Sequence, residues 1–184
     1  GVQTCALPIY KKINAAAGRN LGIKKAKGKY IAFIDGDAIP AKDWLRQIKK
    51  VFDAHDESVA GVGGPDLLPK DSTKKEECIG LVMTSPLARG GRLNPSTQHS
   101  LSYQEKSVGH IPTCNLCLRK KVIDEMNGFD ENFVKGQDLE LNHRIKQAGY
   151  TLLYSPKVTV VHYRKDSFRR FTHQIYKWAK AKIA

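Results

Sequence analysis

"YIAFIDGDAIP", Tyr30 to Pro40, runs from an apolar stretch into two carboxylates, Asp35 and Asp37, on either side of one glycine. Tyr30 to Ile34 is too apolar to leave one face in water. That predicts a strand covered on both sides, as in a parallel sheet. Upstream, "NAAAGRNLGIKKAKGKY" carries Ala16, Ala17, Leu21 and Ile23 ahead of a basic patch, which predicts a helix closed by Gly28. Downstream, "AKDWLRQIKKVF" places Trp44, Leu45, Ile48, Val51 and Phe52 on one helical face, with Pro40 in the tolerated first turn. Helix, strand, carboxylates, helix is an α/β order.

In an open α/β sheet, ligands collect at the carboxyl ends of the strands, which is where Asp35 and Asp37 fall. Two carboxylates that close repel each other unless a positive charge neutralises them. A hard cation such as Mg²⁺ or Mn²⁺ does so with oxygen ligands, and it characteristically leaves positions for substrate phosphates. The same residues also suit an Asx-turn followed by a helix cap. The tripeptide alone leaves both readings open.

The chain has 184 residues and 41% hydrophobic content, enough for one domain with its own core. Thirty-one Lys and Arg against eighteen Asp and Glu give a net charge of +13, which points to an anionic partner. Four cysteines, Cys5, Cys78, Cys114 and Cys117, are too few and too irregular for a secreted disulfide framework and favour a reducing compartment. No stretch reaches the length of a membrane span, and none at the start reads as a signal-peptide core. "GVQTCALPI", residues 1–9, is similar to one reading frame of a ligation adapter used in DNA sequencing and is set aside as non-native.

The middle of the chain is irregular. "GVGGPDLLP" reads as a strand and turn, and "SPLARGGRLNPSTQHS", residues 85–100, as a mobile surface loop. "TCNLCLRKKVIDEMNGFD" predicts a short strand and a short helix ending at Gly128. "GQDLELNHRIKQAGY" predicts a helix stopping at Gly149, and "YTLLYSP" and "KVTVVHY" predict strands. Cys114 and Cys117 form C-x-x-C with His110 nearby, but with no fourth ligand evident they read as buried apolar cysteines. The tail "DSFRRFTHQIYKWAKAKI" predicts a basic amphipathic helix with Phe168, Phe171, Ile175 and Trp178 on one side.

Two long stretches carry a resemblance. "AGRNLGIKKAKGKYIAFIDGDAIPAKDWL" and "NGFDENFVKGQDLELNHRIKQAGYTLLYSPKVTVVH" resemble, in the right order, the inverting nucleotide-sugar glycosyltransferases of family 2. The resemblance covers most of Asn14 to Trp178 and is weakest in the middle. It implies a GT-A fold: a Rossmann-like, mixed and mostly parallel sheet flanked by helices, here lacking its first strand. Residues 10–165 would form the partial catalytic domain and 166–184 the basic C-terminal helix. A fragment of this kind is expected to have an incomplete donor pocket, because family members open with a strand and loop that hold the nucleotide base.

The resemblance also implies roles. Asp37 would ligate Mg²⁺ or Mn²⁺, Asp35 would lie beside it near the donor's ribose and diphosphate, and His162 would complete the metal site. Asp138 matches the family's general base, although Gln137 stands where Glu is usual. Asn115 would contact donor or acceptor hydroxyls, although from its place alone it suits the satisfaction of a strand end, and Arg144 would make a supporting ion pair. Read from residues alone, His162 suits a strand end and Asp138 a helix cap. Arg19 and Lys24 could face the diphosphate, but they read better as a solvated face.

Relatives of this look build bacterial polysaccharide or cell-envelope glycans on lipid-linked acceptors at the cytoplasmic face of the membrane, and many continue into transmembrane helices. Arg169, Arg170, Lys177, Lys180 and Lys182 beside the tail's aromatic residues suit an anionic lipid surface, or an ordinary surface helix equally well. The rival function is a non-catalytic nucleotide- or nucleic-acid-binding module. Nucleic acid is not the expected partner, because no reading motif and no interleaved aromatic-basic face is present.

Overall fold

The computed structural model describes residues 2–3, 14–84, 104–133, 135–163 and 167–183, without the side chains of 2–3, 83–84 and 177–183. In chain order the elements are β1 (Val2–Gln3), α1 (Ala15–Lys25), β2 (Tyr30–Ile34), β3 (Ala38–Pro40), α2 (Trp44–Ala54), β4 (Val59–Gly63), β5 (Asp66–Leu67) and α3 (Lys74–Thr84). Then follow β6 (Lys106–Val108), β7 (Asn115–Arg119), α4 (Lys120–Glu125), α5 (Gln137–Gln147), β8 (Thr151–Tyr154), β9 (Val160–His162) and α6 (Phe168–Ile183). The expected surface loop at 85–100 lies outside the described residues.

The larger sheet has the order β1-β2-β7-β4-β8-β6. β1, β2, β4 and β8 run one way, and β6 and β7 run the other, so the sheet is mixed with parallel direction dominant. Val2 and Gln3, within the segment set aside as non-native, pair in parallel with Tyr30 and Ile31. Two residues therefore occupy the flank of β2 where the first strand was expected to be lacking. A second sheet, β3-β9-β5, stands at the carboxyl ends of β2 and β4, because β3 and β5 each begin within a few residues of those ends.

Side chains alternate across β2, and each parity has its own core. Ile31 joins Leu116, Leu118, Ala60 and Leu152 beneath α1, α4 and α5 through Ile23, Ile123, Leu141 and Ile145. Tyr30 and Ala32 join Val62, Cys117 and Leu153 beneath α2 through Trp44, Ile48, Val51 and Phe52. Both faces of the sheet are covered, as the unbroken apolar run requires. Each fully buried aliphatic side chain contributes roughly 1.5–3 kcal/mol. Arg119 also lies inside, its guanidinium over the stacked Tyr30 and Phe52 rings, with Nε donating to the Val59 carbonyl at 2.7 Å.

Several local boundaries differ from the pattern reading. α1 starts under an Asn14 cap, whose Oδ1 accepts from the Ala17 N–H at 2.8 Å, and it ends at Ala26 rather than at Gly28. Pro40 is not in a helical first turn: it closes β3, an edge strand where its missing N–H is tolerated. α2 begins only at Trp44, so neither Asp35 nor Asp37 caps it. α3 and β6 form within the stretch that reads as irregular.

Candidate active site

The small sheet assembles the acidic end of the site. Ala38 and His162 are register partners between β3 and β9, which brings together residues far apart in the chain. His162 Nε2 lies 2.9 Å from Asp37 Oδ1 and 4.0 Å from Asp35 Oδ2. The Tyr163 N–H donates to the Asp37 carbonyl at 2.8 Å, which fixes the backbone beneath the pair. The carboxylates face solvent, with Asp35 41% and Asp37 56% exposed, while the imidazole is 9% exposed. One ligand atom from each of Asp35, Asp37 and His162 lies within 4.8 Å of the others.

The other imidazole nitrogen faces the interior. His162 Nδ1 stands 3.6 Å from Oδ2 of Asp66, whose side chain is only 1% exposed. Asp66 is carried by β5, which pairs in parallel with β9. Gly64 lets the backbone pass close against the Ser155–Val158 segment, since a Cβ at this position would sit 2.1 Å from the Val158 carbonyl oxygen. A buried carboxylate behind a ligating histidine fixes ring orientation and raises ligand basicity. Its charge also acts on Tyr154: burial first, and Asp66 second, push the phenol up to about 12.

The proposed base lies in the first turn of α5. Gly136 precedes that turn at φ 76°, a conformation glycine adopts without strain, so Asp138 is inside the helix rather than its cap. Asp138 Oδ1 accepts from the Leu139 N–H at 2.9 Å, and Oδ2 lies 3.5 Å from His110 Nε2. Burial pushes this carboxyl up, but the His110 contact, the Leu139 amide and the Arg19 charge together hold it below the ordinary carboxylate range.

The run His110 to Asn115 links the two ends. His110 faces Asp138. Ile111 exchanges hydrogen bonds with the Asn142 amide, donating at 3.2 Å and accepting at 3.1 Å. Thr113 Oγ1 accepts from Arg19 Nη2 at 2.9 Å, and Cys114 Sγ lies 4.0 Å from Asp66 Oδ2. Asn115 is the register partner of Ile34, the residue immediately before Asp35.

These contacts revise several expectations. Arg19 is not on a solvated face: its Nη1 donates to Gln137 Oε1 at 2.7 Å, and its guanidinium lies over the Phe129 ring. Gln137 is buried and donates to the Phe133 carbonyl at 2.8 Å. Asn115 is fully buried, accepting from Trp44 Nε1 at 2.8 Å and donating to the Pro65 and Val158 carbonyls. This corrects the expected contact with sugar hydroxyls, because the amide is committed to the strand end. Arg144 pairs with Glu140 and donates to the Gly128 carbonyl at 2.9 Å, bracing the turn that follows α4 against α5. Cys117 is apolar-buried, which raises its thiol pKa, whereas Cys114 has an acidic neighbour.

Asp66, His110, Thr113 and Asn142 carry contacts that the motif reading did not assign. The placement of Asp66 just past β4 was the available signal, since β4 shares the direction of β2.

A sequence profile described as glycosyltransferase like family 2 matches residues 10–181. The chain belongs to this family. The pre-mycofactocin glycosyltransferase of Mycobacterium tuberculosis is 29% identical to this family 2 domain over 154 residues, 84% of this chain and 31% of the relative. Glycosyltransferase AglE of Haloferax volcanii is 25% identical over 175 residues, 91% of this chain and 53% of the relative. The chain thus spans about a third to a half of these relatives. Among solved structures, a mannosyltransferase from Pyrobaculum calidifontis in complex with GDP-Man and Mn²⁺ superposes with a TM-score of 0.60 at 19% identity, covering 95% of this chain and 45% of that one. The likeness establishes the GT-A glycosyltransferase fold.

Proposed function

We propose that this domain transfers a sugar from a nucleoside-diphosphate donor to an acceptor hydroxyl, with inversion at the anomeric carbon, in polysaccharide or cell-envelope glycan synthesis. The observation that carries the reading is the meeting of Asp35, Asp37 and His162 across the β3–β9 register, tied to Asp138 through residues 110–115. Two exposed carboxylates and one imidazole fit a divalent cation that keeps open positions for phosphate oxygens. A bound Mg²⁺ or Mn²⁺ would neutralise the charge that builds on the departing diphosphate.

The chain's own residues do the rest. Asp35 and Asp37 present carboxylates at the mouth of the sheet, and Asp66 holds His162 in orientation from behind. Asp138, ionised at neutral pH, takes the proton of the acceptor hydroxyl as that oxygen bonds to the anomeric carbon. The bond from that carbon to the diphosphate breaks, and its electron pair leaves on the phosphate oxygen. Arg19 and Gln137 keep α5 and residues 110–115 in fixed relation, so the base is not left to a mobile loop.

No helix among the described residues is long and apolar enough to cross a membrane. α6 exposes Phe168 and Tyr176 beside Arg169 and Arg170, which supports docking on anionic lipid where a lipid-linked acceptor would reside.

Mn²⁺ titration by electron paramagnetic resonance, with UDP and GDP as probes, tests the acidic site. Asp37→Asn and His162→Ala are expected to weaken Mn²⁺ binding at least about tenfold, while Asp138→Asn keeps binding and loses nucleotide release from UDP- and GDP-sugars. Unchanged Mn²⁺ binding in the first two variants overturns the reading. Tight duplex-DNA binding with a steep salt slope, indifferent to Asp37→Asn, would favour a binding module.

A further inference from the structure

Behind the His162 ring, on the side away from Asp35 and Asp37, lie a carboxylate and a thiol that the transfer reaction does not use as ligands. We propose that Asp66, Cys114 and His162 form a second divalent-cation site, softer than the first, that takes Zn²⁺-like ions and competes with the outer site for the single lone pair of a neutral imidazole.

Three observations carry it. Asp66 Oδ2 stands 3.6 Å from His162 Nδ1 and 4.0 Å from Cys114 Sγ, and all three ligand atoms lie within 4.8 Å of one another. Tetrahedral zinc, with bonds of about 2.0 Å to N or O and about 2.3 Å to S, holds its ligand atoms roughly 3.3–3.8 Å apart, so the two measured separations need little closure. The second observation is burial: the Asp66 side chain is 1% exposed, and a cation would compensate a carboxylate desolvated to that degree. The third is donor chemistry. A thiolate selects soft ions, whereas the outer carboxylates suit Mg²⁺ or Mn²⁺.

Occupancy has a defined proton balance. The cation takes the Cys114 sulfur as thiolate, its proton passing to solvent, and takes the lone pair of His162 Nδ1. The remaining imidazole proton then resides on Nε2, which donates to Asp37 Oδ1 at 2.9 Å. In that tautomer Nε2 has no lone pair for a cation between Asp35 and Asp37. The inner site stands on its own geometry. The competition rests on the outer site proposed above.

Co²⁺ as a spectroscopic probe and Mn²⁺ as a paramagnetic one separate the two. Co²⁺ added to the whole chain is expected to give a sulfur-to-cobalt charge-transfer band that Cys114→Ser and Asp66→Asn each abolish and Asp37→Asn retains. Zn²⁺ is expected to raise the apparent Kd for Mn²⁺ at least about tenfold in the parent chain, and only at severalfold higher Zn²⁺ in Cys114→Ser, where direct displacement from the outer carboxylates is all that remains. Absence of the band in the parent chain overturns the inner site without any variant, as does a band that Cys114→Ser leaves intact. A band that persists while Mn²⁺ binding ignores Asp37→Asn sinks the outer site alone. A band present with no Zn²⁺ effect on Mn²⁺ overturns the competition.

Discussion

Ala38 and His162 are register partners across β3 and β9, and that pairing sets an imidazole nitrogen 2.9 Å from the Asp37 carboxylate. The site therefore depends on strand register as much as on the identity of its ligands. A slip of one residue would turn His162 to the other face of the small sheet.

Ile39 and Val161 are the adjacent register pair, and Ile39 is exposed. Proline at Val161 is expected to break this register and weaken Mn²⁺ binding at least about tenfold, although no ligand is altered, because a central strand cannot spare its N–H. Paramagnetic resonance of Mn²⁺ measures it. Unchanged affinity would show that register is not what holds His162.

Asp66 acts on His162 from behind and on Tyr154 from the side. Asp66→Asn is expected to weaken Mn²⁺ binding about 10–100-fold by loosening the ring. The same change lowers the Tyr154 pKa from about 12, because removing a negative neighbour makes the phenolate easier to form. Ultraviolet titration of the tyrosines reads the second effect independently of any metal.

The Asp138 carboxyl is held below its ordinary range against its own burial. Replacing His110 with Ala removes the leading downward cause, so the pKa is expected to rise. The sign follows from the depressed native value. Stability from this group is present above the unfolded pKa of about 3.9 and is lost as pH falls through the native value. Carboxyl carbon NMR of the parent and His110→Ala chains measures the shift; identical titrations would remove His110 from the account.

Asn142 is fully buried and satisfies both backbone groups of Ile111. Asn142→Leu leaves a buried N–H and C=O without those bonds, at a cost of about 2–4 kcal/mol. Urea unfolding gives the loss, and faster exchange of the Ile111 amide would locate it.

What could be read in advance follows from the range of the interactions. The two-sided burial of β2 is written in consecutive residues, since Tyr30, Ile31 and Ala32 are all apolar and alternate between two cores. The Leu141 and Ile145 stripe of α5 is equally local. Pro40 misled because its strand exists only by pairing with β9, about 120 residues away. Asn115 stayed undecided for a different reason: an amide at a strand end has the same chemistry whether it meets a sugar or the Trp44 indole. Asp66 was hidden in a two-residue strand, where no periodicity can form. Arg19 read as surface because its partners, Gln137 and Thr113, come from elements that only the tertiary fold brings near.

β9 is the middle strand of the small sheet and supplies the last of the clustered acidic-end residues, 125 positions after Asp37. During synthesis the aspartates emerge from the ribosome long before their imidazole partner does. A nascent chain halted anywhere short of Val160 leaves β3 and β5 without their shared neighbour. The pairing of Asp37 with its imidazole thus waits until β9 has been made, so a product ending before Val160 should lack the Asp35, Asp37 and His162 cluster altogether.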